Sequence, residues 1–285
     1  MKILLVVNPG RPEAIEISHQ AMVAAQKHQI ELYSNNEDFL EEQRFGKYLK
    51  KYEHGQALDC ALVFGGDGTI LRAAEICHGT STPIIGINVG NVGFLAEIHN
   101  PEIDELFEIL VHSGWRVEPR MTLDYSVMRS GKIVNSGWAL NEVTTERTSS
   151  QMVELYLAID NSPISKWGCD SVISATPTGS TAYAFSAGGP VVWPQVEAMI
   201  IVPVANHGLF SRPMVISDKS EVTLDIESAG ALLVSDGIRT FDLIKGDKVK
   251  LTVSPVKINL AHIDASVFAD RLVAKFKLPI SGWRR

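Results

Sequence analysis

Cysteine is scarce: Cys60, Cys77 and Cys169 are the only three in 285 residues. Scattered thiols of that number make neither a disulfide framework nor a zinc cluster, so the expected compartment is a reducing one, the cytoplasm. Long apolar runs are missing too. None approaches the roughly 18–20 residues of a membrane span, and the opening Ile3–Val7 run is too short for a secretory signal and lacks a small-residue cleavage site. Positive charge is in the minority, 26 Lys and Arg against 33 Asp and Glu, for a net charge of −7. That balance argues against a nucleic-acid or membrane-surface partner but leaves room for a local basic pocket. No Gly-Lys-Ser/Thr follows a glycine loop, which removes the P-loop nucleotide site. Internal repeats and low-complexity segments are absent as well.

What remains is ordinary globular composition, 45% hydrophobic and 21% charged, enough for one large or two medium domains. One stretch stands out. Cys60-Ala61-Leu62-Val63-Phe64 reads as a buried strand and stops on Gly65-Gly66-Asp67-Gly68-Thr69. Ile70, Leu71, Ala73, Ala74 and Ile76 then follow at helical spacing. A strand, a glycine turn and a helix start can turn free N–H groups toward a phosphate. Asp67 would repel phosphate, and fits better as acceptor of a hydroxyl proton or partner of a cation, which suggests phosphoryl transfer to an alcohol. Gly-Gly-Asp-Gly also suits a plain tight turn, with Asp as a helix cap.

The first third alternates between strand and helix signals. Ile3–Val7 reads as a strand ending at Asn8-Pro9-Gly10-Arg11, and residues 12–27 as a helix with Ile15, Ser18, Met22 and Ala25 on one side. Ile30–Tyr33 reads as a strand, 39–51 as a polar helix, 83–88 as a strand and 103–112 as a helix. Such alternation predicts a mainly parallel sheet, with ligands beyond the carboxyl ends of its strands, where loops 8–11, 65–69 and 90–94 would share one edge. Gly90-Asn91-Val92-Gly93-Phe94-Leu95 offers space and an aromatic face, or equally a glycine loop anchored by a core phenylalanine.

Near residue 117 the texture changes to short alternating runs between turns, among them 123–128, 133–139, 153–159, 222–226, 232–234 and 249–253. They predict an antiparallel, β-rich second domain. The expected division is therefore 1–117 as the α/β domain, 118–263 as the β-rich domain, and 264–285 as a tail with a helix over 264–278 that packs back on the first. Asn141-Glu142 pairs an amide with a carboxylate, able to hold two hydroxyls, or forms a polar turn. The block Thr176-Pro177-Thr178-Gly179-Ser180-Thr181-Ala182-Tyr183, preceded by Asp170, crowds hydroxyls before a short helical signal, as in an anion or nucleotide cradle. No Ser–His–Asp arrangement makes Ser180 a nucleophile, and His207 alone suggests a structural role.

Taken together, Gly65-Gly66-Asp67-Gly68, Asn91–Leu95, Asn141-Glu142, Thr176–Tyr183, Ser186-Ala187-Gly188-Gly189-Pro190 and Leu209-Phe210-Ser211-Arg212-Pro213 resemble the NAD kinase family in order and spacing. The glycine loop alone is shared with lipid kinases of the diacylglycerol type and with phosphofructokinases. The resemblance implies an α/β domain followed by a β-rich NAD-binding domain. It implies transfer of the γ-phosphoryl group of ATP, or of polyphosphate, with Mg²⁺, to the adenosine-ribose 2′-hydroxyl of NAD.

In that reading Asp67 is the base and Gly68 lies against the dinucleotide. Arg72 meets a phosphate, and Phe94 sits near the adenine. Asn141 and Glu142 hold a ribose, and Asp170 the nicotinamide end. Thr181, Ala182, Tyr183 and Ser186 line the dinucleotide site. The family also implies a homo-oligomer, a dimer or tetramer, with part of the site from a neighbouring subunit. Two positions depart from the family pattern: Ser171 replaces a common glycine, and Ile238 replaces a long polar residue, so no contact is assigned at Ile238. The alternatives are a lipid or sugar kinase, which gives no use to Asn141-Glu142 or to 176–183, and a non-catalytic dinucleotide-binding regulator.

Overall fold

The computed structural model describes residues 1–90, 93–96, 98–99 (backbone alone), 102–263, 267–279 and 282. Its chain divides into two compact units, residues 1–119 with 258–285, and residues 120–257.

The first unit begins with β1 (Lys2–Val7), α1 (Pro12–Lys27), β2 (Glu31–Ser34), α2 (Glu37–Glu41), β3 (Leu49–Lys51) and β4 (Cys60–Gly65). It continues with α3 (Asp67–Cys77), β5 (Ile84–Asn88), β6 (Ile98–His99), α4 (Ile103–Glu108) and β7 (Arg116–Arg120). β4 is buried along its whole length and β1 after its first residue, as expected for central strands covered on both faces. Proline at the first turn opens α1, where its missing N–H costs nothing. Ala14, Ser18, Ala21, Met22 and Ala25, spaced three and four apart, are its buried residues, and most pack in one cluster with Ile3, Leu5, Leu62 and Phe64. On α3 the corresponding stripe is Ile70, Ala73, Ala74 and Cys77.

The polar helix expected over 39–51 is not formed. Helix α2 ends at Glu41, a single 3₁₀ turn covers Gly46–Tyr48, and Leu49–Lys51 becomes an edge strand parallel to β2. Gly46 interrupts the pattern, and its backbone lies so close to the Leu40 carbonyl that a Cβ could not be added.

The second unit carries β8 (Leu123–Arg129), β9 (Lys132–Ala139), β10 (Glu142–Glu146), β11 (Val153–Ile159), β12 (Ser162–Cys169) and β13 (Ser171–Ala175). The one-turn helix α5 (Tyr183–Ser186) follows, then β14 (Ala198–Val204), β15 (Met214–Ser217), β16 (Val222–Ile226), β17 (Gly230–Ser235), β18 (Arg239–Ile244) and β19 (Lys248–Val253). Among the described residues they form two antiparallel sheets, ordered β12-β11-β16-β19-β8-β9 and β15-β14-β13-β10-β17-β18. One core joins their facing sides, with Leu123, Leu155, Leu224 and Val249 from the first sheet and Val143, Val172, Ile201 and Leu233 from the second. A second cluster, Ile173, Ala175, Ala184, Val192, Ile200 and Val202, covers the outer face of the second sheet.

After the sandwich the chain returns to the first unit as β20 (Ile258–His262) and α6 (Phe268–Phe276). Residues 258–263, placed by the sequence in the β-rich part, lie in this unit: β20 pairs in parallel with β5, Leu260 opposite Ile84. A lone five-residue apolar strand carries no sign of which sheet it joins. The first sheet thus runs β3-β2-β1-β4-β5-β20-β7, with β6 also on β5. Residues 264–266 of the expected tail helix lie outside the described residues, and the helix observed starts at Phe268.

Candidate active site

In the first unit, β1, β4 and β5 are parallel and in register, Val7 beside Phe64 and Gly65 beside Asn88, so the loops that follow them emerge along one edge. The glycines of these loops have different reasons to be glycine. At Gly65 a Cβ would collide with the Thr69 side chain, and at Gly93 with the Asp67 carboxylate. At Gly66 and Gly68 a Cβ would meet nothing among the described residues, and neither has a positive φ. None of the described residues requires glycine there. Open backbone is what a ligand approaching the start of α3 would need, where the first N–H groups have no intrahelical partner.

Asp67 opens α3, and its carboxylate turns to the loop after β5. Oδ2 accepts the Phe94 N–H at 2.9 Å, and Oδ1 accepts those of Leu95 at 3.0 Å and Ala96 at 3.4 Å. Arg11, from the loop after β1, donates to the Val89 carbonyl at 3.1 Å, which ties the first loop to the third. Asn91 and Val92 lie outside the described residues. Arg72 is five residues along α3 from Asp67, about 140° around the helix. It consequently leaves on another side and lines a cavity of about 300 Å³ with Val7, Pro9, Asn35, Asn36 and Glu75. Phe94, expected to present a ring to a base, is only 6% exposed, with its ring 5.9 Å from Phe268 and 5.8 Å from Phe276. The aromatic face anchors α6, because the described rings nearest it are those of this helix. Gly68 is exposed, at the head of α3.

In the second unit Glu142 starts β10, opposite Ala175 of β13. Alternation puts Thr144 and Glu146 on its face, beside Ile173 and Ser171. Segment 176–192 folds onto this outer face. The Thr176 N–H donates to the Asn141 carbonyl and its hydroxyl to that of Leu140, while the same hydroxyl accepts the Gly179 N–H. Gly179 lies against the Asn141 backbone with no room for a Cβ. Ser180, fully buried, donates its hydroxyl toward the Pro177 and Val192 carbonyls and accepts the Val192 N–H. Much of the hydroxyl density in this block therefore shapes the turn, and Thr181 likewise bonds the Thr178 carbonyl. Of the expected dinucleotide-site residues here, Tyr183 and Ser186 are exposed, with Thr181 and Ala182 half-buried.

Glu142 is 8% exposed, and its Oε2 has no hydrogen-bond partner among the described residues. Burial, and after it the charge of Asp236, pushes its pKa up to about 8, against a donated Tyr183 N–H. The Tyr183 phenol is pushed up as well, first by burial and then by Glu146, Asp170 and Glu142, so these three acids share its surroundings. Asp170 pairs with Arg147 at 2.9 Å. Sequence reasoning passed over Arg147 and Asp236. Nothing in Ser235-Asp236-Gly237 as a sequence says that the Asp236 side chain turns inward.

The comparisons with known proteins agree with one another. Residues 3–114 match the ATP-NAD kinase N-terminal domain and residues 140–263 the ATP-NAD kinase C-terminal domain. The NAD kinase of Nocardia farcinica is 40% identical, over 99% of this chain and 93% of the relative. NAD kinase 2 of Streptomyces avermitilis is 46% identical, over 83% and 80%. Among solved structures, yeast NADH kinase complexed with NADH superimposes with a TM-score of 0.87 at 23% identity, over 100% of this chain and 89% of that one. An NAD kinase from Archaeoglobus fulgidus in complex with ATP gives 0.73 at 26% identity, over 97% and 99%. With both domains matched in order and relatives above 30% identity along nearly its whole length, the chain belongs to the NAD kinase family.

Proposed function

We propose that the protein transfers the γ-phosphoryl group of MgATP to the 2′-hydroxyl of the adenosine ribose of NAD, giving NADP and ADP. The observation that carries this reading is Asp67 at the head of α3, between two glycines whose missing side chains serve no neighbour among the described residues. A phosphate can approach the N–H groups there, and a carboxylate is at hand for a hydroxyl proton. The new bond joins the ribose oxygen to Pγ, and the bond from Pγ to the β–γ bridging oxygen breaks. The hydroxyl proton passes to Asp67. Positioning and charge neutralisation supply most of the acceleration in such a step. Among the described residues no three acids, histidines or cysteines gather to hold a metal, so magnesium is proposed to arrive with the donor phosphates.

Asp67 is the proposed base, and Arg72 a cation for a phosphate. The dinucleotide cradle is proposed from residues of the β-rich part. Asn141 and Glu142 take the hydroxyls of a ribose, Asp170 the carboxamide end, and Thr181, Ala182, Tyr183 and Ser186 the walls. Supporting the ribose assignment, Glu142 Oε2 is buried and unpartnered among the described residues, a state a sugar hydroxyl would relieve. A homo-oligomer is part of the proposal: Leu209 is fully exposed in a single copy, with Phe210 half exposed beside it. Free Cys60, Cys77 and Cys169 suit a reducing cytoplasm, and no helix among the described residues is long and apolar enough to cross a membrane.

The test is incubation with MgATP and NAD, with NADP detected by an NADP-specific dehydrogenase. A lipid acceptor, a sugar phosphate and a polyphosphate donor run in parallel. NADP formed from MgATP is the expected result. Phosphorylation of another acceptor only, or NAD binding without transfer, overturns the proposal.

A further inference from the structure

Asp236 is the second residue of the Ser235–Ile238 turn between β17 and β18, followed by Gly237, with φ of 52° and 67° and the Ile238 N–H bonded to the Ser235 carbonyl. An Asp-Gly pair with two positive φ values is a common hairpin turn, which accounts for the backbone but not for the side chain. Turn aspartates usually face water. This one is 7% exposed and points into the protein, with Oδ2 accepting the Leu140 N–H at 2.8 Å. Oδ1 accepts those of Asn141 at 2.7 Å and Glu142 at 3.3 Å. The Asp236 N–H in turn donates to the Glu142 carbonyl at 3.0 Å. Arg239 reaches Asp236 Oδ2 at 3.3 Å and the Ser235 hydroxyl at 2.9 Å, bonds the Trp138 carbonyl, and lies 4.6 Å over the Trp138 ring.

We propose that Asp236, pinned by Arg239, is a positioning residue that fixes the Leu140–Glu142 turn, and with it the aim of the Asn141 amide and the Glu142 carboxyl at the dinucleotide ribose. The proposal rests on the ribose assignment made above. Three consecutive N–H groups directed at one carboxylate leave the turn little freedom, so the two side chains it carries start from a set direction. Asp236 also acts through charge. Burial raises Asp236 too, but the three amides and the guanidinium that its oxygens accept from all favour its charged form, while Glu142 has only the Tyr183 N–H to do so, and the proton of this acidic pair is therefore assigned to Glu142. Glu142 is faced by Asp236 from the hairpin, which Arg239 bonds in turn, by Glu146 on its own strand, and by Tyr183 from the covering segment, with Asp170 near that phenol. Removing the Asp236 charge lowers the pH at which Glu142 ionises.

The experiment measures NAD affinity and the KM for NAD from pH 6 to 9 in the wild type, Asp236→Asn and Arg239→Met, with melting curves for each. Asp236→Asn should weaken NAD between about 10- and 100-fold through misaim. It should leave the KM for MgATP unchanged and move the Glu142 limb of the NAD profile to lower pH. Arg239→Met, which keeps the Asp236 charge but frees it, should weaken NAD less and move that limb upward. A folded Asp236→Asn protein with wild-type NAD affinity and an unmoved limb overturns the proposal. If that variant does not fold, the Arg239→Met limb decides, and if neither folds, calorimetry of the wild type in buffers of different ionisation enthalpy decides: proton exchange with NAD near pH 8 supports the coupling, and none overturns it. Failure of the wild type to bind NAD at all refutes the ribose assignment instead.

Discussion

Each unit contains an aspartate that accepts three consecutive backbone N–H groups. Asp67 takes those of Phe94, Leu95 and Ala96, and Asp236 those of Leu140, Asn141 and Glu142. The device is the same but the surroundings differ. Asp236 is buried with an arginine against one oxygen, whereas Asp67 is partly exposed at the head of a helix, between two open glycines. The first arrangement is closed, so it holds a turn in place and acts on Glu142 through charge without meeting a ligand itself. The second holds a loop and still faces the space a ligand would enter, so one carboxylate there can be both clamp and reactant. Burial alone does not mark a functional acid. Asp247, also buried, is held below the usual carboxylate range by its bonds to Arg129 at 2.8 and 2.7 Å, while Glu142 is raised and keeps an oxygen unpartnered among the described residues.

The largest effect belongs to Asp67→Asn. As a base, Asp67 should cost about 100- to 10,000-fold in turnover when replaced, with little change in NAD affinity. A clamp alone predicts the reverse, weakened binding through a loosened 94–96 loop and modest loss of turnover. Steady-state kinetics beside direct NAD binding separates the two, and near-normal turnover removes Asp67 from the chemistry. Gly93→Ala sharpens the point, because its Cβ would push on the Asp67 carboxylate without changing any titratable group. Turnover should fall on the order of 100-fold, as for a reacting group displaced by about 1 Å, while the melting temperature drops by a few degrees.

Next in size is a pH effect confined to the β-rich unit. Glu142 is raised from 4.5 to about 8, so the folded protein holds a proton that the unfolded chain gives up between those values. Its contribution is fully present below about 4.5, shrinks as pH rises, and is lost once pH passes 8. Glu142→Gln, neutral at every pH, should flatten this slope and gain about 3–5 kcal/mol relative to wild type by pH 9. Urea unfolding of the ligand-free protein at pH 5, 7 and 9 measures it. Parallel slopes in the two proteins would mean that Glu142 is already ionised when free, and the contrast with Asp247 would disappear.

Much of this was legible beforehand, and the rest was hidden for identifiable reasons. Periodicity revealed β1, α1, β4 and α3, because central parallel strands are uniformly apolar and covering helices carry one stripe. It misread residues 39–51, where a polar edge strand and an amphipathic helix show similar charge, and it could not say which sheet Ile258–His262 would join. Type and spacing led to Asp67, Asn141 and Glu142. They could not reveal that Phe94 would be used up by Phe268 and Phe276, nor that Arg72 would leave α3 on a different side from Asp67. Asp236 was hidden most deeply, since Asp-Gly in a hairpin explains itself locally. The bonds that make it matter cross 94–96 positions of sequence.

The smallest expected change tests the idea that open glycines mark the reactive clamp. Gly68 lies in the first turn of α3, has no positive φ, and an added Cβ would meet nothing among the described residues. By helix propensity and unfolded-state entropy, Gly68→Ala should stabilise the protein by about 0.4–1 kcal/mol. If the glycine exists only to make a turn, activity should survive this change intact. If it exists to let a dinucleotide or its phosphates reach the backbone, the variant should melt slightly higher and turn over more slowly. A stability gain and an activity loss from one methyl group cannot both come from damage to the fold, so the pair of measurements assigns the space above α3 to a ligand. A more stable and equally active variant would return the loop to an ordinary turn, leaving Asp67 to be explained by its hold on Phe94–Ala96 alone.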